Sequence, residues 1–224
     1  MSNYDVERAS LDLLCDIQTE LCNALTSLGG RQCNGLLESY IGHSARLLNK
    51  AVEAYIFLRE SGRLDASKLL VRTVIEAVFR VHAVRKKPEL MYRIAYSEHI
   101  EDKKWVRPID PSGSTSSLQS LESNWQEFKD AYRAKYSDHQ LKEEELSLLD
   151  AAKEAGLHRY YDSHYRLYCR FTHASFRAST GGLDDLRAED NRTMSLCAFA
   201  MTDALKDIGA TAPHLAELKE RLSQ

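Results

Sequence analysis

Glycine and proline are scarce in this chain, which has ten glycines and four prolines among 224 residues. Because both residues disfavour helix interiors, their low content leaves room for long helices. The sequence also lacks the period-2 alternation of apolar and polar residues that is typical of half-buried strands. These absences predict an all-α fold. The short segments between apolar stretches favour a helical bundle in which most neighbouring helices are antiparallel.

The chain also lacks membrane and secretion signals. No apolar run reaches the roughly 18–20 residues that a membrane-spanning helix needs. The first residues, MSNYDVERAS, lack the basic and then apolar order of a signal peptide. The five cysteines are scattered and form no C-x-x-C pair, which favours reduced thiols over disulfides or a zinc site. We therefore expect a cytoplasmic protein with no membrane partner.

The charge is nearly balanced, since 30 basic and 33 acidic residues give a formal net charge of −3. A protein that coats nucleic acid along its whole surface would need an excess of basic residues, although a local basic patch is compatible with this total. Hydrophobic residues make up 43% of the chain, enough for a buried core. The length predicts a single domain over residues 1–224.

Apolar residues that recur every three or four positions predict about seven to nine helices. The predicted helices form an N-terminal group at 5–105 and a C-terminal group at 118–224, with a loop at 106–117 that contains two prolines and several serines. A second loop is predicted at 176–189. The individual helices are predicted at about residues 5–28, 34–62, 65–84, 88–105, 118–136, 143–154, 158–175 and 191–208, with a short one after 213.

Four helix starts have residues that favour initiation. The predicted N-caps are Asn34 for the second helix, Asp65 for the third, and Asp190 or Asn191 for the last long helix. Pro88 is expected at the first position of the fourth helix, where its missing N–H costs nothing.

The third predicted helix is apolar nearly all round, which places it in the middle of the fold. Its charged residues recur every four positions and so form one stripe. The stripe is either a solvated edge with weak ion pairs or the lining of a groove for an anionic group, with Arg72 held by Glu76. Its members are Lys68, Arg72, Glu76 and Arg80.

The segment His158–Ser175, HRYYDSHYRLYCRFTHAS, is rich in arginine, histidine and tyrosine. Arginine can bind phosphate through two hydrogen bonds, and histidine can transfer protons near neutral pH. In the alternative interpretation the acidic and basic residues pair with each other, and the histidine stabilises the helix C-terminus. Four residues share one predicted helical face at spacings i, i+4, i+8 and i+11: Asp162, Arg166, Arg170 and His173.

Tyrosines occupy the adjoining face of the same predicted helix. Tyr165 and Tyr168 are the ones that we expect to take part in binding, because a phenol can stack or donate a hydrogen bond. No H-x-x-x-H, H-E-x-x-H, P-loop or G-x-G-x-x-G pattern occurs in the chain, so we expect no metal and no cofactor.

Several short motifs resemble an uncharacterised bacterial helical family, the domain of unknown function numbered five-six-seven-seven. The resemblance covers about residues 34–208. It implies a helical bundle and almost no biochemistry. The motifs are Tyr40-Ile41-Gly42, Ala45-Arg46-Leu47-Leu48, Arg72-x-x-x-Glu76-Ala77, and Tyr168 with His173-Ala174-Ser175.

A narrower pattern is similar to the R-x(4–6)-H signature of HEPN-type ribonucleases, because six residues separate Arg166 from His173. Those enzymes are small helical bundles, frequent in toxin–antitoxin and phage-defence systems, that usually dimerise. The resemblance implies RNA as the substrate, a homodimer, and a partner protein in such a system. It also implies metal-independent cleavage, with the histidine transferring a proton and the arginine stabilising the phosphorane.

The chain departs from that signature in one place, since Leu167 stands where a polar residue usually follows the arginine. Arg170 could act instead, but Arg170-x-x-His173 falls outside the spacing. The alternative function is a non-enzymatic binding or assembly module that recognises a protein partner or an anionic ligand. Convergence of Arg72, Arg166 and His173 in a cleft or across a two-fold interface would favour a site, whereas separate exposure would favour the module.

Overall fold

The computed structural model describes residues 3–29, 35–109, 116–136, 141–172 and 187–223. Helices joined by short connections account for most of these residues, which contain no strand. The predicted all-α helical bundle is therefore confirmed. The elements are α1 (Asn3–Leu28), α2 (Leu36–Glu60), α3 (Leu64–Lys86), α4 (Leu90–Ile109), α5 (Ser116–Lys135), α6 (Leu148–Ala155), α7 (His158–Tyr160), a π-helical turn (Tyr161–Tyr165), α8 (Arg166–Thr172), α9 (Arg187–Asp207) and α10 (Leu215–Ser223).

Helix α3 lies at the centre of the bundle and contacts α2, α4, α6, α8 and α9. Its valines and Phe79 are buried on several sides, as a nearly continuous apolar sequence requires. The predicted central position of this helix is confirmed. The charged stripe of α3 therefore runs along a helix that has neighbours on several sides.

The main core is mostly aliphatic and joins α1, α2, α3 and α9. Leu14, Ile17 and Leu21 of α1 are fully buried, and Met194 and Leu205 of α9 pack in the same cluster. Burying a side chain of this size contributes about 1.5–3 kcal/mol. The pairing of α1 with α9 brings the two ends of the chain together and closes the bundle.

A second core lies at the other end of α3, under the α4–α5 hairpin. This core is aromatic: Tyr92 of α4 and Tyr132 of α5 are fully buried, with ring centroids 5.2 Å apart. Trp125 and Phe128 stack beside them at 5.7 Å. Aromatic pairs at these distances stabilise the hairpin beyond simple burial of area.

The predicted N-caps of α2 and α3 are wrong. Asn34 lies outside the described residues, and Gly35 is the N-cap of α2. Arg63 is the N-cap of α3, so Asp65 stands inside the first turn. Neither cap forms a side-chain hydrogen bond, so packing of the apolar faces determines where these helices begin.

Two further helix starts differ from the prediction. Helix α6 begins at Leu148 and not near residue 143, because the Ser147 hydroxyl accepts a hydrogen bond from the Asp150 backbone N–H at 3.1 Å. Helix α4 begins two residues after Pro88, which lies in a turn, and it continues past the predicted end to Ile109.

The predicted helix over 158–175 is divided by the π-helical turn. Its last residues and most of the predicted 176–189 loop lie outside the described residues, and α9 begins at Arg187. None of the helices that the structure describes has an apolar stretch long enough to cross a membrane.

Candidate functional site

The α3 stripe and the π-helical turn meet at a cluster of Arg72, Glu76 and Tyr165. Arg72 Nε lies 2.9 Å from Glu76 Oε1, and the Tyr165 hydroxyl donates to the same oxygen at 3.0 Å. The guanidinium carbon of Arg72 is 5.5 Å from the centroid of the Tyr165 ring. The side chains of Arg72 and Glu76 are about a quarter exposed, at 24% and 27%. Arg72 is thus held by Glu76 at the surface, beside an aromatic ring.

The phenol of Tyr165 is a neutral hydrogen-bond donor in this cluster. Burial raises its pKa, and the neighbouring Cys169 thiol and the Glu76 carboxylate raise it further. A carboxylate that accepts bonds from Arg72 and Tyr165 has a fixed orientation, which fixes the guanidinium in turn. The arrangement can present one oriented cation and one aromatic face.

Arg166, the residue after Tyr165, is exposed at the outer surface. It pairs with Asp162 across the outer surface, with Nη1 and Oδ1 3.8 Å apart and side chains 70% and 62% exposed. Arg166 is thus far more exposed than Arg72, whose side chain is 24% exposed. The side chain of Arg170 and the whole of His173 lie outside the described residues, so their placement remains a prediction.

Tyr168 lies in the interior. It is fully buried, and its hydroxyl donates to Asp190 Oδ1 at 2.6 Å. Tyr168 therefore anchors α8 to α9. Both tyrosines predicted for binding are buried, but the Tyr165 hydroxyl reaches Glu76 of the partly exposed cluster and the Tyr168 hydroxyl reaches Asp190 in the core.

Asp190 belongs to a buried polar network that the sequence patterns did not predict. Arg59 is its cationic centre, with a side chain only 1% exposed. Arg59 Nη2 bonds Glu7 Oε1 at 2.9 Å, and Nη1 lies 3.9 Å from Asp190 Oδ2. Asn191 accepts from the Tyr55 hydroxyl at 2.8 Å. The network joins α1, α2, α8 and α9, and it corrects the prediction that Asp190 or Asn191 caps the last long helix.

A signal for this network is present in the sequence. Leu48, Val52, Tyr55 and Arg59 follow one another at three or four residues, so the apolar face of α2 continues into an arginine. A charged residue on a core-facing position must find a partner. One partner of Arg59 is Asp190, and burial of this carboxyl disfavours its charged form. Burial raises the pKa of Asp190, while Tyr168, Lys68 and Arg59 lower it.

The remaining residues of the α3 stripe lie at different depths. Lys68 is buried and only 2% exposed, close enough to Asp190 to influence its pKa. Arg80 pairs with Glu98 of α4 at 3.4 Å, in a groove of about 330 Å³ between α2, α3 and α4. Tyr40 lines the same groove, and burial raises its pKa to about 12. Glu76 lines this groove together with Arg80, whereas Lys68 is buried, so the stripe is not a uniform solvated edge.

Within the described ranges, no group of three or more histidine, cysteine, aspartate or glutamate side chains is placed to hold a metal ion.

The sequence matches the family of unknown function DUF5677 over residues 39–191, which is more than half of the chain. The chain belongs to this family. No curated protein and no solved structure matches the chain significantly.

The DUF5677 match includes the whole Arg72–Glu76–Tyr165 cluster and also Arg166. It ends at Asn191, inside the buried network, and leaves out Glu7 on α1. The predicted membership of this helical family is confirmed. The family's description carries no biochemistry, so any function has to be argued from the side chains.

Proposed function

We propose that this DUF5677 protein is a HEPN-like, metal-independent ribonuclease or an inactive relative of one. The observation that carries the proposal is the exposure of Arg166, which stands on the outer surface at the first position of α8. It is also the arginine of the R-x6-H pattern. An all-α bundle is the architecture that the HEPN resemblance implies.

Arg166 is suited to a phosphate ligand. Its ion pair with Asp162 is long, at 3.8 Å, and both side chains are mostly exposed. Exposed pairs of this kind contribute at most about 1 kcal/mol, so a phosphate can replace the carboxylate at little cost. Arg166 also follows directly after the π-helical turn, and such turns are frequent at functional sites.

In the proposed reaction the RNA 2′-hydroxyl attacks the adjacent phosphorus and loses its proton to His173. The bond from phosphorus to the 5′-oxygen breaks, and that oxygen receives the proton that His173 took up. Arg166 stabilises the charge on the phosphorane. The products are a 2′,3′-cyclic phosphate and a 5′-hydroxyl. A homodimer would bring two such motifs together, in a cytoplasmic toxin–antitoxin or antiviral defence system with a partner protein.

The test is incubation of the purified protein with a mixed RNA pool without divalent metal, followed by analysis of the product ends. We expect wild type to leave 2′,3′-cyclic phosphates, and both Arg166→Ala and His173→Ala to lose cleavage with an unchanged helical circular dichroism signal. Arg159→Ala is the matched control, since it removes another exposed arginine from the same segment. Cleavage that survives in both Arg166→Ala and His173→Ala would refute the proposal.

The second candidate is the non-enzymatic module that recognises a protein partner or an anionic ligand. The half-buried Arg72–Glu76–Tyr165 cluster favours it, because these contacts hold one oriented guanidinium beside an aromatic ring without any part played by Arg166. A 2′-O-methyl RNA, which binds through phosphate but cannot be cleaved in this way, distinguishes the two functions. Binding that depends on Arg72 and not on Arg166, measured by fluorescence anisotropy, would support the module.

A further inference from the structure

The groove between α2, α3 and α4 has an apolar floor formed by Leu47, Ala51 and Ala77. Its volume of about 330 Å³ lies within the range of about 300–1,000 Å³ that is typical of small-molecule sites. The two alanines are small, which leaves the space above them open. Leu47 is 55% exposed, so its side chain is available for contact with a ligand. The floor can therefore pack against an aliphatic group of moderate size.

Two side chains of opposite charge line the same groove and are accessible from solvent. Arg80 of α3 and Glu98 of α4 form an ion pair in which Nη1 lies 3.4 Å from Oε1. Their side chains are 36% and 54% exposed. An exposed pair with one long contact contributes little to stability, so each member can exchange the other for a ligand group at little cost.

The balance of charge around the groove indicates which ligand fits it. Glu76 also lines the groove, and its charge is compensated by Arg72 at 2.9 Å, as that of Glu98 is by Arg80. A ligand that is only an anion would meet two carboxylates, and one that is only a cation would meet two guanidinium groups. A ligand with one charge of each sign avoids both conflicts. Its carboxylate can accept from Arg80 while its ammonium donates to Glu98.

We propose that this groove binds a free α-amino acid with an apolar side chain. The two charged groups of an α-amino acid are attached to one carbon, which suits the short separation of Arg80 from Glu98. The side chain of the amino acid packs on the apolar floor. The proposal uses neither Arg166 nor His173 and does not rest on ribonuclease activity.

The test compares L-leucine with two relatives that each lack one charge, isoamylamine without the carboxylate and isocaproate without the ammonium. Isothermal titration calorimetry of the full chain should show that wild type binds L-leucine at least tenfold more tightly than either relative. Arg80→Gln should remove the preference over isoamylamine, and Glu98→Gln should remove the preference over isocaproate. Wild type that binds none of the three, or either relative as tightly as L-leucine, would overturn the proposal.

A further set of variants locates the binding in this groove. Ala77→Leu fills part of the floor and should weaken L-leucine at least tenfold, and Ala51→Leu does the same from α2 if Ala77→Leu fails to fold. Ala131→Leu, at an exposed position of α5 outside the groove, is the matched control and should change nothing. The helical circular dichroism signal shows which variants are folded. Unchanged affinity in a folded floor variant would show that L-leucine binds elsewhere and would reject the site.

Discussion

Two groups of arginine, carboxylate and tyrosine occur in this protein, one in the interior and one at the surface. Arg59, Asp190 and Tyr168 are all buried, whereas Arg72 and Glu76 are about a quarter exposed beside Tyr165. The chemical groups are the same, and the tyrosine hydroxyl donates to the carboxylate in both. Burial alone therefore separates a structural role from a candidate binding role.

The physical difference lies in what happens when one partner is removed. In the interior, a charge that loses its partner stays desolvated, which is strongly unfavourable. At the surface, water replaces the lost partner at little cost. For the same reason Arg72 in the surface cluster can exchange Glu76 for a ligand, and the interior group cannot exchange its members.

The largest expected effect is that of Arg59→Ala. We expect a loss of about 3–5 kcal/mol in the free energy of unfolding, because Glu7 and Asp190 lose their buried cation. Arg72→Ala, the matched surface change, should cost about 1 kcal/mol or less. Urea denaturation measures both. Equal losses in the two variants would remove the distinction between the groups.

A smaller loss of stability is expected when a tyrosine hydroxyl is removed. Tyr168→Phe leaves Asp190 Oδ1 without its 2.6 Å donor in the interior, and should cost about 1–3 kcal/mol. Tyr165→Phe removes a donor from Glu76, which is about a quarter exposed, and should cost less than about 1 kcal/mol. Thermal and urea unfolding of the two variants should rank them in this order. The reverse order would mean that burial of the carboxylate is not the deciding factor.

The smallest expected effect is the pH dependence of stability that Asp190 contributes. Burial raises the pKa of Asp190 above its ordinary value of 3.8, so the folded state keeps a proton that the unfolded state has lost. The contribution of this group to stability therefore rises as pH falls from neutral through the folded-state pKa, and is complete below 3.8. Asp190→Asn cannot titrate.

Urea unfolding of wild type and Asp190→Asn at several pH values isolates the contribution of Asp190 titration to the free energy of unfolding. The difference between their unfolding free energies should shift in favour of wild type as the pH is lowered. A shift in favour of Asp190→Asn would mean that Lys68 and Arg59 outweigh burial and hold the carboxylate ionised.

Parts of this comparison could be predicted from the sequence. The spacing of Arg72 and Glu76 predicts their contact, because residues four apart on a helix are neighbours. The apolar character of α3 predicts its central position. Local patterns of this kind depend only on helix geometry, which the sequence determines within a few residues.

The interior group could not be predicted in the same way. Asp190 and Asn191 have the composition of an N-cap, and only the packing of α9 against α1 and α2 places them in the core. Their partners Glu7, Tyr55 and Arg59 lie more than 130 residues away in the sequence. The π-helical turn likewise has no local sequence signal that we recognise.

The aromatic core under the α4–α5 hairpin has a practical consequence. The chain has two tryptophans, and both belong to this hairpin: Trp105 is 75% exposed, and Trp125 stacks on His99 at 4.8 Å. Tryptophan emission therefore reports on the hairpin alone, whereas far-ultraviolet circular dichroism sums all helices. Coincident unfolding curves would show that the aromatic and aliphatic cores melt as one cooperative unit, and separated curves would identify the hairpin as a unit of its own.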